Sequence, residues 1–217
     1  MGKRSVQPLE AQRCQMCDNL TFADLASAGK EVMKPALLLH SCCGPCSTAV
    51  IERLWPDYDL TVFFYNPCIT DLEEYEKRKA SQILFIEQFN QRHAGLGRLH
   101  FIEGDYEPER YLEAVSGYSN EPEGGARCTI CFRQRLEKTA KQARAKSFGL
   151  FTTTLTVSPH KNYPLISAIG KELADKYGIQ FLDIDFKKKA GFQRSIQLSK
   201  EYGLYRQNYC GCEYSKR

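Results

Sequence analysis

The sequence predicts an α/β domain built on a parallel sheet with helices on both faces. Three observations predict it. Short, largely apolar runs recur at residues 36–40, 60–65, 99–103, 151–157 and 179–186. Stretches rich in helix-forming residues separate them. The first run passes straight into a tight cysteine-rich loop and then a helical pattern. Alternation of this kind lays helices over a parallel sheet, and continuous apolar runs suit strands buried on both faces.

Taken in order, residues 1–34 read as a polar N-terminal extension with one Cys14-Gln15-Met16-Cys17 motif, a weak helical pattern over 22–33 and Pro35 as its stop. The catalytic domain is expected to fill residues 35–217. Its first strand covers 36–40, the loop Ser41-Cys42-Cys43-Gly44-Pro45-Cys46-Ser47 follows, and a helix is predicted over 48–55. A second strand at 60–65 ends at Asn66-Pro67, before helical periodicity over 71–92. Residues 99–103 make a third strand and 107–116 a short helix. Pro122 and two glycines mark 120–126 as a loop, which opens a charged helix over 128–146. The β-branched run 151–157 reads as a strand, 162–177 as a helix stopped by Gly178, and 179–186 as the last strand. A basic segment at Lys187-Lys188-Lys189 precedes a helix over 194–204. The tail, 205–217, is irregular and carries Cys210-Gly211-Cys212. In such folds ligands bind beyond the carboxyl ends of the strands, where the Cys42/Cys43 loop sits.

Composition excludes several classes. No apolar run approaches the roughly 18–20 residues of a membrane span. Residues 1–10 show no apolar signal core, so a cytoplasmic protein is expected. Thirty basic residues against 26 acidic ones leave a net charge of +4, which permits a nucleic-acid partner without demanding one. Ten cysteines in 217 residues fall below the roughly 8–10% of small disulfide scaffolds. Close cysteine pairs in a cytoplasmic chain point instead to metal or redox chemistry.

Cys42 and Cys43 sit at a helix N-terminus, where the partial positive charge favours thiolate. Cys128 and Cys131, at i and i+3, share one helix face. Together these four thiolates suit a four-iron cluster or a tetrahedral zinc. Cys43 and Cys46 also read as a thioredoxin-like dithiol. Cys210 and Cys212, spaced by a glycine that allows a tight turn, suit a strained, oxidising disulfide, a second metal, or nothing at all. Cys14, Cys17 and Cys68 are metal ligands or bystanders. His40 is a core histidine or a ligand. Asp71 is a helix cap, an acid or a hard-metal ligand, and Asp105 ends a strand in the same way. Tyr205 and Arg206 adjoin the tail cysteines and are able to stack on a base or hold phosphate.

Five motifs in order carry a resemblance. They are His40-Ser41-Cys42-Cys43-Gly44-Pro45-Cys46, Phe64-Tyr65-Asn66-Pro67, the run from Arg127 to Leu136 containing both Cys128 and Cys131, the run from Phe151 to Pro159, and the run from Gly203 to Cys212. Over about residues 36–215 the chain resembles the QueH-type epoxyqueuosine reductases. The resemblance implies a HUP-like α/β fold and reduction of epoxyqueuosine to queuosine at the wobble position of tRNA. It implies a [4Fe-4S] cluster on Cys42, Cys43, Cys128 and Cys131, and a redox-active Cys210/Cys212 pair. For some members it implies a second iron beside the cluster. Partners would be the tRNA and an electron donor, with Lys187, Lys188, Lys189, Arg194 and Arg206 on the tRNA backbone. Cys68 departs from the asparagine the pattern leads one to expect, and the extension with Cys14 and Cys17 is a second departure. The rival readings are a zinc-stabilised nucleic-acid-binding module and a thiol–disulfide oxidoreductase using Cys43 and Cys46.

Overall fold

A computed structural model describes residues 33–216 of the chain. The extension expected over 1–34, with Cys14 and Cys17, falls almost wholly outside the described residues. Among those described, five strands form one parallel sheet in the order β3-β2-β1-β4-β5. The chain runs β1 (Ala36–Ser41), α1 (Gly44–Leu54), β2 (Asp59–Phe64), α2 (Leu72–Arg92), β3 (His100–Glu103), α3 (Pro108–Val115), α4 (Ala126–Ala145), β4 (Leu150–Thr153), α5 (Tyr163–Tyr177), β5 (Gln180–Phe181) and α6 (Gly191–Glu201). The predicted class holds. No helix among the described residues is long and apolar enough to cross a membrane.

The pleat of β1 explains the two layers. Leu37 and Leu39 face one core with Val50, Ile51, Phe85, Phe89 and Leu198, so α1, α2 and α6 cover that side. Leu38 faces the other core with Phe132, Leu136, Phe151, Ile166 and Leu173, under α4 and α5. Successive side chains of a strand point to opposite faces, so a run of leucines feeds both cores at once. Strand order reverses between β1 and β4, which opens a crevice at their carboxyl ends. That crevice receives the Cys42/Cys43 loop.

Four predicted elements come out differently. The first helix starts at Gly44, not at 48, because Pro45 stands in its first turn and Cys43 is its extended N-cap residue. Gly44 is required there, since a Cβ would lie 2.7 Å from the Ser81 carbonyl oxygen of α2. The strand expected over 151–157 stops at Thr153 and becomes a 3-10 turn, Thr154–Val157. The Thr153 hydroxyl accepts from the Leu155 amide at 3.1 Å and bends the chain. The strand expected over 179–186 keeps ladder pairing only at Gln180–Phe181. Beyond it, threonine hydroxyls replace the ladder: Thr152 donates to the Leu182 carbonyl and Thr156 to that of Ile184, at 2.8 and 2.9 Å. The last helix also begins earlier, at Gly191, and ends at Glu201.

Asp71 is a helix cap. Its carboxylate accepts from the Glu73 and Glu74 amides at the start of α2. Asp105 pairs with Lys138 at 2.8 Å. His40 is a core histidine: Nε2–H donates to the Tyr65 carbonyl, and Nδ1 accepts from the Thr153 hydroxyl. Burial, helped by the charge of Arg135, lowers its pKa to about 3 and keeps it neutral.

Phe151 is fully buried in β4 at the centre of the α4/α5 core. Phe151→Ala is expected to cost about 3–5 kcal/mol, read as a lower midpoint in urea unfolding at unchanged slope.

Candidate sulfur-lined active site

The site is assembled from the carboxyl end of β1, the N-termini of α1 and α4, the segment after β4, and the tail. Ser41 ends β1 with its hydroxyl on Gln82 Oε1, at 2.6 Å, and its carbonyl accepts from Asn66 Nδ2, at 3.0 Å. These bonds fix the backbone on which Cys42 and Cys43 stand. Thr154 grips the next residue, accepting from the Cys42 amide at 3.3 Å and donating to Cys42 Sγ at 3.6 Å.

Cys42 Sγ and Cys43 Sγ lie 3.8 Å apart. With Cys46 they form a group whose sulfurs all lie within 4.8 Å of one another. Cys42 is the most acidic thiol of this trio. Hydrogen bonds from Cys43 and Cys46 hold its pKa well below the usual thiol value, and Lys161 and Arg135 add their charge. Reciprocally, Cys43 is pushed up to about 11, and Cys46 is also raised, chiefly by donating to Cys42. Cys43 is fully buried and receives a 3.0 Å hydrogen bond from Gln207 Nε2 of the tail. A thiol so enclosed is a poor partner for exchange with another protein's disulfide, which counts against the thioredoxin-like reading of Cys43 and Cys46.

Cys128 and Cys131 stand in the first two turns of α4. Arg127 sets this helix start by donating to the carbonyls of Tyr118, Ser119 and Glu121. The Gly124 amide points at Cys128 Sγ, at 3.2 Å. Cys131 is buried and faces Cys68, another buried cysteine. The Cys131 thiol hydrogen-bonds Cys68, which lowers the Cys68 pKa and raises that of Cys131. The structure thus gathers the sequence candidates into two sulfur groups, Cys42/Cys43/Cys46 and Cys68/Cys131. Cys128 packs at the edge of the core that contains Cys42 and Cys43.

The tail returns across α2 to close the crevice. Arg78, buried in α2, donates to the carbonyls of Cys210 and Tyr209 at 3.0 and 3.2 Å. Gly211 follows at φ +121°, a left-handed conformation that L side chains rarely adopt, with Arg78 Nη1 2.9 Å from where a Cβ would stand. Cys210 and Cys212 are free thiols. Cys212 is buried beside Cys68 and Cys131, its sulfur 3.6 Å from the Ser215 hydroxyl, whereas Cys210 lines the open crevice.

That crevice measures about 570 Å³ and is lined by Cys42, Cys46 and Cys210 with Lys161, Arg206 and Tyr209 among its walls. The sulfurs of Cys210, Cys42 and Cys46 raise the Lys161 pKa against the opposing effect of burial. Of the basic residues suggested for tRNA, Arg194 is engaged by Glu52 at 2.9 and 2.6 Å, and Lys187 reaches Asp185 and the Lys161 carbonyl. Lys188 and Lys189 are exposed and enter no ion pair among the described residues. Tyr205 is tied to Glu74 by its hydroxyl, and Arg206 lies over the Phe192 ring.

Sequence reasoning missed four functional side chains: Arg78, Arg135, Lys161 and Gln207. Two had a signal. Arg78 lies between Tyr75 and Gln82 on the buried face of α2, and Arg135 between Cys131 and Leu136 on that of α4. A cation inside an apolar stripe calls for a buried partner. Lys161 and Gln207 lie in irregular segments and carry no such mark.

The family model for epoxyqueuosine reductase QueH matches residues 37–217. The epoxyqueuosine reductase QueH of Streptococcus pyogenes is 42% identical over 188 residues, covering 87% of this chain and 73% of that protein. The protein of the same name from Staphylococcus epidermidis is 40% identical, covering 84% and 76%. That from Thermotoga maritima is 39% identical, covering 82% and 89%. With its cysteines gathered at the sheet's carboxyl edge and relatives this similar along nearly the whole fold, the chain belongs to the QueH family of epoxyqueuosine reductases.

Proposed function

We propose that this chain is an iron–sulfur oxidoreductase that reduces epoxyqueuosine to queuosine at the wobble position of tRNA. The observation that carries the reading is the sulfur-lined crevice at the sheet's switch point, in a chain that matches the family from residue 37 onward. A [4Fe-4S] cluster on Cys42, Cys43, Cys128 and Cys131 would supply single-electron transfer and a Lewis-acidic iron. The donors fit such a group. They are soft thiols at two helix N-termini, beside buried cations. The fit of a second iron rests on the sulfurs outside that set that line the crevice, Cys46 and Cys210.

The reaction turns an epoxide into an alkene and water, and needs two electrons and two protons. The Cys210/Cys212 pair balances that demand: two thiols give up both protons and both electrons and become one disulfide. A reductant outside the chain then restores them. Cys210 already lines the crevice, and Gly211 supplies the flexible corner that would bring Cys212 round to it. The Lys161 ammonium stands in the crevice wall, where it can hydrogen-bond the departing oxygen. Val157, Phe192 and Tyr209 give the crevice apolar surface for a base turned out of its stack. Arg206 at its wall and the exposed Lys188 and Lys189 offer positive charge to the tRNA backbone.

The direct test is anaerobic turnover on tRNA bearing epoxyqueuosine, with a strong reductant and mass analysis of the nucleosides. Loss of one oxygen from the modified base is expected. Protein that carries zinc, no acid-labile sulfide and no visible charge-transfer absorption would instead favour the zinc-stabilised nucleic-acid-binding module. Alanine at Cys42, Cys43, Cys128 or Cys131 is expected to strip iron and sulfide together with colour. A variant retaining all of these removes that residue from the ligand set. Cys210→Ser and Cys212→Ser are expected to keep the full iron and sulfide content and lose turnover. Unimpaired reduction by the double variant would return the tail to a passive role.

A further inference from the structure

Among the described residues, Arg135 is a buried cation with no carboxylate partner. Its side chain is 1% exposed, in the middle of α4. Nη2 donates to Asn66 Oδ1, Nη1 approaches Cys131 Sγ at 3.8 Å, and Nε has no acceptor. No ion pair among the described residues includes it. Arg78, equally buried, differs in having Glu74 at 2.6 Å. A guanidinium held in a low-dielectric interior without an anion is one of the costliest arrangements a fold can contain. What faces it is sulfur. Burial alone works against its charge, and the sulfurs of Cys68, Cys131, Cys42 and Cys210 around it more than offset that, so its pKa is raised. His40, also within its field, is neutral and offers no counter-charge.

The guanidinium is also held in place. Asn66, which accepts from Arg135, donates through Nδ2 to the Ser41 carbonyl, one residue before Cys42. Arg135 is therefore tied to the strand end that carries one cysteine pair and to the helix that carries the other. We propose that Arg135 is the counter-ion of the sulfur centre, a positioning residue that makes a multiply anionic thiolate site affordable in the interior and raises the reduction potential of what that site holds. The potential part of this proposal rests on the iron–sulfur reading above, and the counter-ion part needs only a thiolate-bound metal. Reduction adds a negative charge to the centre, and a fixed cation nearby favours the reduced state.

The test compares Arg135→Met and Arg135→Lys with the parent protein. In the iron-loaded protein, a spectroelectrochemical titration is expected to show a more negative midpoint for Arg135→Met, largely recovered by Arg135→Lys. Iron affinity, read by competition with a chelator, is expected to fall roughly 10- to 100-fold in Arg135→Met. Thermal melting separates this role from packing. Metal-free, fully reduced protein presents less negative charge to Arg135, and there Arg135→Met is expected to melt at the same temperature or higher. In the metal-loaded protein it is expected to melt lower. Equal losses in both forms would mean that Arg135 serves only to hold Asn66, and an unchanged midpoint with unchanged iron affinity would overturn the proposal. Should the parent protein take up no iron and sulfide, the iron–sulfur reading fails by itself. Melting with and without zinc then decides the counter-ion role, with the same opposite signs expected and the same equal losses overturning it.

Discussion

The buried guanidinium of Arg78 joins the halves of the site by holding the tail against α2. Residues 205–212 make no sheet ladder, and the 3-10 turn that follows them spans only Glu213–Ser215. Their position is set by an α2 side chain that reaches up from the core, spends one N–H on Glu74 at 2.6 Å and gives two others to the Tyr209 and Cys210 carbonyls. Glu74 in turn accepts from the Tyr205 hydroxyl at 2.7 Å. The Tyr209 ring lies 5.1 Å from the guanidinium carbon. Removing one partner of such a buried pair strands the other, at a cost of about 3–5 kcal/mol. Here the penalty would fall on the geometry of Cys210 and Gly211 as much as on stability.

The eight described cysteines are free, and five of them pack within the apolar cores. Their surroundings are electrically biased. Arg78 and Arg135 are both buried, and Lys161 stands in the crevice wall. Hydrogen bonds from neighbouring thiols do most to favour thiolate at Cys42 and Cys68, with Arg135 and Lys161 adding their charge at both and Arg78 at Cys68. The same charges make the crevice attractive to a polyanion. The exposed pairs elsewhere are a different matter. Lys77 with Glu73 and Arg133 with Glu172 are solvated pairs that contribute little to stability. Arg194, bidentate to Glu52, ties α6 to α1 and is committed to the fold rather than to a ligand.

Local signals carried a long way in this chain. The leucines at 37–39 announced a strand buried on both faces, and alternation with helical stretches announced a parallel sheet. Asn162 and Gly178 bracket α5 as an N-cap and a left-handed C-cap, and both ends were legible because capping is decided within a few residues. The misread stretches are those where a side chain replaced a backbone partner. Thr153 turned an apparent seven-residue strand after its third residue, and Thr152 and Thr156 stood in for the ladder that 182–186 lacks. β-branched residues report a preference for extended backbone, but they carry no record of whether a neighbouring strand exists to pair with.

By itself, the sequence determined the layered α/β class, the strand-end position of Cys42 and Cys43, the helical spacing of Cys128 and Cys131, and the glycine turn between Cys210 and Cys212. All of these follow from periodicity and local backbone chemistry. Only the tertiary structure decided which distant sulfurs meet: Cys68 with Cys131, and Cys212 turned inward beside them while Cys210 faces the crevice. It also decided that Arg135 would be buried without a carboxylate. The reason is that these neighbours lie tens of residues apart in the chain. Contact between them depends on strand order and on the placement of the tail, which the whole fold sets and no local pattern records.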